Sequence, residues 1–347
     1  MPNSHSSTHT TICDYFCANF TLPHHQERNH HQQTHHFSSR RQHRPSSNQS
    51  PTRLDPLSIQ KYQNILYTQS FRFYQSPVES SAGRENRNKS RDHYMDELIR
   101  GLIRPPNLPT FTSQAPHTLP SPRWLALQIN FTLTTPWFSK DDRVFHVLDN
   151  PIRRDRLFAL PFMSAAAWKG LLRWTYQHLL SSQSPANPPP HQTSTWITHL
   201  FGHSKAESEE FTQGALHFYP TWFSRVSFEC INPHSRATRA GRLPIIYEVV
   251  PPDHNGIFRL LYAPRPLPPD KLPPHQAIEH LLLAIEKLLT TYGFSAKRTA
   301  GWGTAEITKS YAFFTSADKS NHKLEDQSPT SLIEKLKQSS HPIFNQK

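Results

Sequence analysis

The chain predicts an α+β fold of ferredoxin-like type, an antiparallel sheet with its helices on one face and long loop insertions. Three observations lead there. Residues Trp124 to Thr134 alternate apolar and polar side chains, and two later stretches carry apolar residues at three/four spacing. Several short β-branched or aromatic runs fall between and after those stretches. In chain order the elements read strand, helix, strand, strand or strands, helix, strand, the pattern of a split β-α-β sandwich.

Residues 1–94 stand apart. His, Gln, Ser, Asn and Arg dominate, and nine of the 23 histidines fall in the first fifty positions. With no apolar period to drive packing, a disordered extension is expected. Cys13 and Cys17, with His24, His25, His30, His31, His35 and His36, are zinc-type side chains. Their spacing matches no closed zinc site, so no metal ligands are assigned. Ile59–Phe73 suits a short helix or strand. Met95 opens an amphipathic run to Ile103 and is a candidate start, which would make the upstream segment either untranslated or a dispensable extension. Residues 95–122 form a short helix and a Pro-rich linker, 123–315 the folded domain, and 316–347 a polar tail with a weak helix at Ser331–Gln338.

Within the domain, Leu125, Leu127, Ile129, Phe131 and Leu133 share one face of a half-buried strand. Pro136–Phe158 is a long charged excursion holding Lys140, Asp141, Asp142, His146 and Asp149. Such insertions are functional or disordered. His146 reads as a solvated loop histidine. The stretch LDNPIRRDRLFALPFMSAAAWKGLLRW follows the turn at Asp149 with a basic run, Arg153, Arg154 and Arg156, then enters a helix at Ser164, a suitable N-cap. Trp168, Leu171, Leu172, Thr175 and Leu179 form its core stripe, while Lys169, Arg173 and Gln177 lie four apart on another face. A helix start with Lys169 and arginines upstream suits a phosphate. A core helix with a solvated basic side accounts for the same residues.

Trp196–Gly202 reads as a helical turn closed by glycine and Gly214–Phe223 as the second strand. Residues 232–242 form a polar loop with Arg236, Arg239 and Arg242, which an ordinary solvated hairpin loop also explains. Leu243–Val250 and Ile257–Ala263 are strands. Pro274 starts a long helix. Ile278, Leu281, Leu282, Ile285, Leu288, Leu289 and Tyr292 line its core face, and Gly293 stops it. The loop after it sets Lys297 and Arg298 beside Gly301, Trp302 and Gly303, where glycine lets backbone N–H groups meet a phosphate. A plain tight turn fits that loop equally. Ala305–Phe314 is the last strand.

Composition points to the partner class. Against 26 acidic residues stand 38 lysines and arginines, a formal net charge of +12 with an isoelectric point near 9.7, which favours a polyanion such as nucleic acid. No apolar run is long enough to span a bilayer, no secretory pattern opens the chain, and three cysteines make no disulfide framework. A cytoplasmic setting follows, with no membrane and no small-molecule substrate expected. Sheets of the predicted type are also the platform of the RNA-recognition motif, whose open face takes single-stranded RNA.

The ordered set LPFMSAAAWKGLLRW, LFG, QGALHFYP, RATRAG before YEVVPP, and GWGTAEI resembles the CRISPR-associated RAMP superfamily from about Trp124 to Thr308. These are ferredoxin-like, RNA-recognition-motif-like subunits of type III effector complexes. The resemblance implies a subunit that binds CRISPR guide RNA, meets target RNA, and assembles with other effector subunits in antiviral defence. It places Ser164, Lys169, Gly170 and Arg173 at the helix-one signature, Lys297, Arg298, Gly301, Trp302 and Gly303 in the Gly-rich loop, and Arg236, Arg239 and Arg242 in a loop reaching guide or duplex. VLDNPIRRD is similar to the loop of target-cleaving subunits, which implies Asp149 as catalytic residue. In that version the protein is a metal-dependent RNA endonuclease, with Mg2+ as cofactor. There the target's 2′-hydroxyl attacks the adjacent phosphate, with Asp149 holding the metal or acting as base. An Asx turn before Asn150-Pro151 explains Asp149 as local structure. The sequence departs from the family at Trp137 to Asp142, which replaces a glycine-rich turn, and at Ser164 to Gly170, where a proline, a glycine and two serines are changed. A metal-independent endoribonuclease maturing CRISPR RNA is the alternative, and needs a His or Lys acid/base pair.

Overall fold

The computed structural model describes residues 56–99, 118–142, 145–156, 159–183, 190–203, 213–234, 244–264 and 274–344. The cysteine and histidine cluster before residue 56 and the loop arginines Arg236, Arg239 and Arg242 lie outside the described residues.

The alternating strand forms as read, β1 at Leu125–Leu133, with its five apolar side chains buried. After the excursion come β2 (Phe162–Met163), α3 (Ala165–Gln183) and α4 (Pro190–Phe201), numbered after two upstream helices, α1 (Pro56–Gln75) and α2 (Ser81–Ile99). Then follow β3 (Leu216–Phe218), β4 (Thr221–Trp222), β5 (Ser227–Ile231), β6 (Ile245–Val249) and β7 (Asn255–Tyr262). Helix α5 (Pro274–Lys287) widens into a π turn at Leu288–Tyr292, followed by β8 (Ala305–Thr315), β9 (Asn321–Asp326) and α6 (Ser331–Gln338).

The main sheet has the order β3-β7-β1-β8-β9. All of its neighbouring strands run antiparallel, and a bulge between Asn130 and Phe131 shifts the β1–β8 register. Since β1 and β3 both oppose β7, they run parallel to each other, with α3 making the crossover. One face of the sheet packs under α3 and α5. Trp168, Leu172 and Tyr176 of α3, with Ile278, Leu281, Leu282 and Ile285 of α5, share one core with the inward face of β1. Each such fully buried side chain contributes roughly 1.5–3 kcal/mol. The other face carries a small cluster of Leu119, Ala126 and Phe313 with Tyr311.

Four expectations need correction. The stretch Gly214–Phe223 is not one strand: β3 joins the main sheet, whereas β4 pairs with β2. The intervening Pro220 has no N–H with which to continue a ladder. The tail after 315 is part of the fold, since β9 extends the sheet and Leu332, Leu336 and Ile343 enter the main core. The extension is structured from residue 56 onward. Tyr62, Leu66 and Phe73 of α1 and Tyr94 and Leu98 of α2 bury against Val147, Leu148 and Ala159 of the excursion. Low mean hydropathy hid this, because each helix presents only one narrow apolar face to the other. Finally, His146 is buried, its Nδ1 accepting the Leu148 N–H at 3.0 Å. Among the described residues no helix is long and apolar enough to cross a membrane.

Candidate nucleic-acid interface

Helix α3 starts as its sequence dictates. The Ser164 Oγ accepts the Ala167 N–H at 3.2 Å, satisfying one of the free amides of the first turn. Burial of Trp168, whose indole N–H donates to Thr221 Oγ1 at 3.1 Å, fixes the rotation of the helix. That rotation turns Lys169 and Gly170 to the exterior, with Arg173 half-buried one turn on. A Cβ on Gly170 would meet nothing within 4 Å. A glycine inside a helix costs about 1 kcal/mol relative to alanine, and no packing among the described residues accounts for it here. The open space suits close approach by a ligand backbone.

Lys169 also lines a cleft of about 300 Å³ between the start of α3 and β3, with Gln213, Gly214 and His217. Arg173 donates to the Gly202 carbonyl at 3.5 Å, at the end of α4. On the row of α3 that continues from Gly170 lies Trp174, 41% exposed, with the guanidinium of Arg298 4.6 Å above its ring. The His178 ring stacks parallel to Trp174, and Tyr292 meets Trp174 edge-on. The fold thus leaves Lys169, Gly170 and Arg173 on neighbouring rows of α3 and sets Arg298 over Trp174, one turn on from Gly170. Sequence reasoning passed over Trp174. Its position four residues from Gly170, off the core stripe, was the available signal.

The glycine-rich loop is held differently from the expectation. Lys297 Nζ lies 4.5 Å from the centre of the Tyr247 ring, and Trp302 packs edge-on against the same tyrosine. The amides of Ala300, Gly301 and Trp302 donate within the turn, to Lys297 and Arg298 carbonyls. Cationic side chains rather than those amides are therefore the groups available to a phosphate. Gly301 and Gly303 take φ of +79° and +82°. At Gly303 a Cβ would fall 2.5 Å from Ser295, whose hydroxyl is tied to the Phe138 backbone.

Asp149 belongs to another neighbourhood. Its carboxylate is 74% exposed and accepts from Arg91 of α2 at 2.9 Å. The loop carrying it is stitched to β6: the Asn150 carbonyl accepts the Glu248 N–H, and the buried Glu248 carboxylate accepts from Arg154 at 2.5 Å, the Ile152 N–H at 3.0 Å and the Tyr94 hydroxyl at 3.1 Å. Burial by itself would raise the Glu248 carboxyl, but Arg154, His146 and the Ile152 amide hold it below the ordinary glutamate value. For Arg154 burial acts to lower the pKa, and the Glu248 charge lifts it above the usual arginine value. So the basic run splits. The Arg154 guanidinium turns inward to Glu248, while the residue still borders, with Arg153 and Arg156, a cleft of about 620 Å³ that also holds Asp141, Asp142 and Asp155. Mixed charge there weakens the expected phosphate site upstream of Ser164. Among the described residues, no group of three or more His, Cys, Asp or Glu side chains could hold a metal ion.

A family model described as the RAMP superfamily matches residues 130–306, half of the chain. No curated protein matches. A solved structure described as type III-B Cmr-beta bound to cognate target RNA is similar at 15% identity, over 70% of this chain and 81% of that one, with a TM-score of 0.47.

Proposed function

The chain belongs to the RAMP superfamily, and from that membership we propose that it is a guide-RNA-binding subunit of a type III CRISPR effector complex. The strand order β3-β7-β1-β8, with α3 and α5 on one face, supports the ferredoxin-like connectivity expected of such a subunit. The observation that carries the function is the α3 face: a mid-helix glycine under open space, Lys169 and Arg173 beside it, and Trp174 capped by Arg298. Cations paired with an exposed ring and an open backbone suit a ribose-phosphate chain with an unstacked base. The net charge of +12 favours the same class of partner. Other effector subunits and a target RNA paired to the guide complete the proposed assembly.

Target cleavage would rest on Asp149, which does not by itself make a magnesium site. It is one carboxylate engaged by Arg91, and phosphate oxygens of a bound RNA with waters would complete a magnesium shell. Binding is the function proposed first, and cleavage through Asp149 its second version. The test is affinity of the full chain for labelled single-stranded RNA across a salt series. Lys169→Ala, Arg173→Ala and Arg298→Ala each weaken binding, and each lost phosphate contact flattens the salt slope by about 0.7. Unchanged affinity in all three variants overturns the site. RNA copurified with the chain from its host carries CRISPR repeat sequence if the ligand is guide RNA. Asp149→Ala separates the cleaving version: cutting of a guide-complementary RNA that survives the change removes Asp149 from the chemistry.

A further inference from the structure

Helix α1 has two unlike faces. Tyr62, Leu66 and Phe73 are buried against α2 and the excursion. Tyr67, Phe71 and Tyr74 point the other way and are 40%, 55% and 47% exposed. Three large rings at i, i+4 and i+7 on a solvent face are not what a solvated helix side carries. The row continues onto the excursion, where Phe145, itself exposed, stacks on Tyr74 with centroids 5.1 Å apart and planes 22° from parallel. This brings it beside the loop that bears Asp149.

The charge around the row has one sign on its own helix. Residues 56–75 contain no Asp or Glu, and Lys61 and Arg72 are exposed. On the buried side of the helix, the guanidiniums of Arg87 and Arg91 lie 4.6 and 4.8 Å from the Phe73 ring. Arg91 is also paired with Asp149 and Arg87 donates to the Ser76 carbonyl, so the exposed cations beside the row are Lys61 and Arg72. Aromatic rings flanked by cations form a stacking platform for single-stranded nucleic acid, tolerant of sequence because every base has a π-face. From Tyr67 to Tyr74 the helix advances about 10 Å, the length of roughly three nucleotides at a stacked rise of about 3.4 Å.

We infer that the Tyr67–Phe71–Tyr74–Phe145 row is a stacking track for unpaired bases of RNA, on a helix outside the stretch that the family model matches. The inference rests on the proposed RNA-binding function and adds a second contact region to it. Sequence-tolerant stacking suits a strand whose sequence is read by base pairing and not by the protein. A protein partner, the other natural occupant of an aromatic face, would be served as well by any apolar side chain, and that difference makes the two distinguishable.

The experiment measures binding of labelled polyuridine, and of duplex RNA as control, to the full chain by fluorescence anisotropy across a salt series. The triple change Tyr67→Ala, Phe71→Ala, Tyr74→Ala lowers polyuridine affinity by about tenfold or more. It leaves the salt slope and duplex binding at their starting values, because no phosphate contact is lost. Phe71→Trp retains affinity and Phe71→Leu does not, a pair that remains readable if the triple variant folds poorly. Full polyuridine affinity in the triple variant, alongside weakened binding by Lys169→Ala, overturns the track and leaves the α3 site standing. Equal affinity of Phe71→Leu and Phe71→Trp likewise overturns it in favour of an apolar protein contact. Absence of RNA binding by the unmodified chain removes the proposed function and the track together.

Discussion

Glu248→Gln is the sharpest test of how the excursion is anchored. The substitution keeps shape and removes one charge from a carboxylate that is 0% exposed and faces Arg154, 4% exposed, at 2.5 Å. Three partners beyond the arginine read that carboxylate: the Ile152 amide, the Tyr94 hydroxyl and, through its charge, His146. Without the negative charge the guanidinium stays buried among neutral acceptors, with the Ala159 carbonyl at 3.0 Å. Breaking one side of such a pair costs about 3–5 kcal/mol, a large share of the 5–15 kcal/mol typical of whole domains. At roughly 2–4 °C per kcal/mol the melting temperature falls on the order of 10 °C. Urea denaturation and calorimetry measure it. The double change Arg154→Met, Glu248→Leu removes both charges and recovers part of the loss, the remainder being the Ile152 amide and Tyr94 hydroxyl left without this acceptor. A Gln variant losing less than about 1 kcal/mol refutes the buried pair and, with it, the docking of α1 and α2 that Tyr62 and Tyr94 make through it.

Two further outcomes follow from the geometry. Burial pushes His199 and His254 down to about 4, and His254 Nε2 accepts the Ser224 N–H, which requires the neutral ring. The unfolded chain titrates near 6.5, so it takes up protons first as pH falls; stability is full above about 6.5 and drains away toward about 4. A melting temperature flat from pH 8 to 6.5 and falling below it is expected, with His199→Gln and His254→Gln each flattening the fall. In the glycine-rich loop, Gly303→Ala meets Ser295 at 2.5 Å on top of a φ of +82°, while Gly301→Ala at +79° meets open space. Denaturation midpoints should show a loss above about 2 kcal/mol for the first and about 1 kcal/mol for the second.

What the sequence determined by itself is the set of elements whose period is local. The alternation through β1, the three/four stripes of α3 and α5, the Ser164 cap and the Gly293 stop are each decided within a few residues, and each formed. The cationic positions on α3 were legible for the same reason. Tertiary structure alone decided which of two period-2 fragments joined which sheet, and that Arg154 turned inward while Arg298 came to rest on Trp174. It also decided that α1 and α2 belong to the fold, joined to Glu248 from 154 positions away. Periodicity reports how a segment divides its own faces. It is silent on the partner those faces meet, because the free energy of a buried ion pair or a stacked ring exists only once residues far apart in the chain are brought into the same dry space.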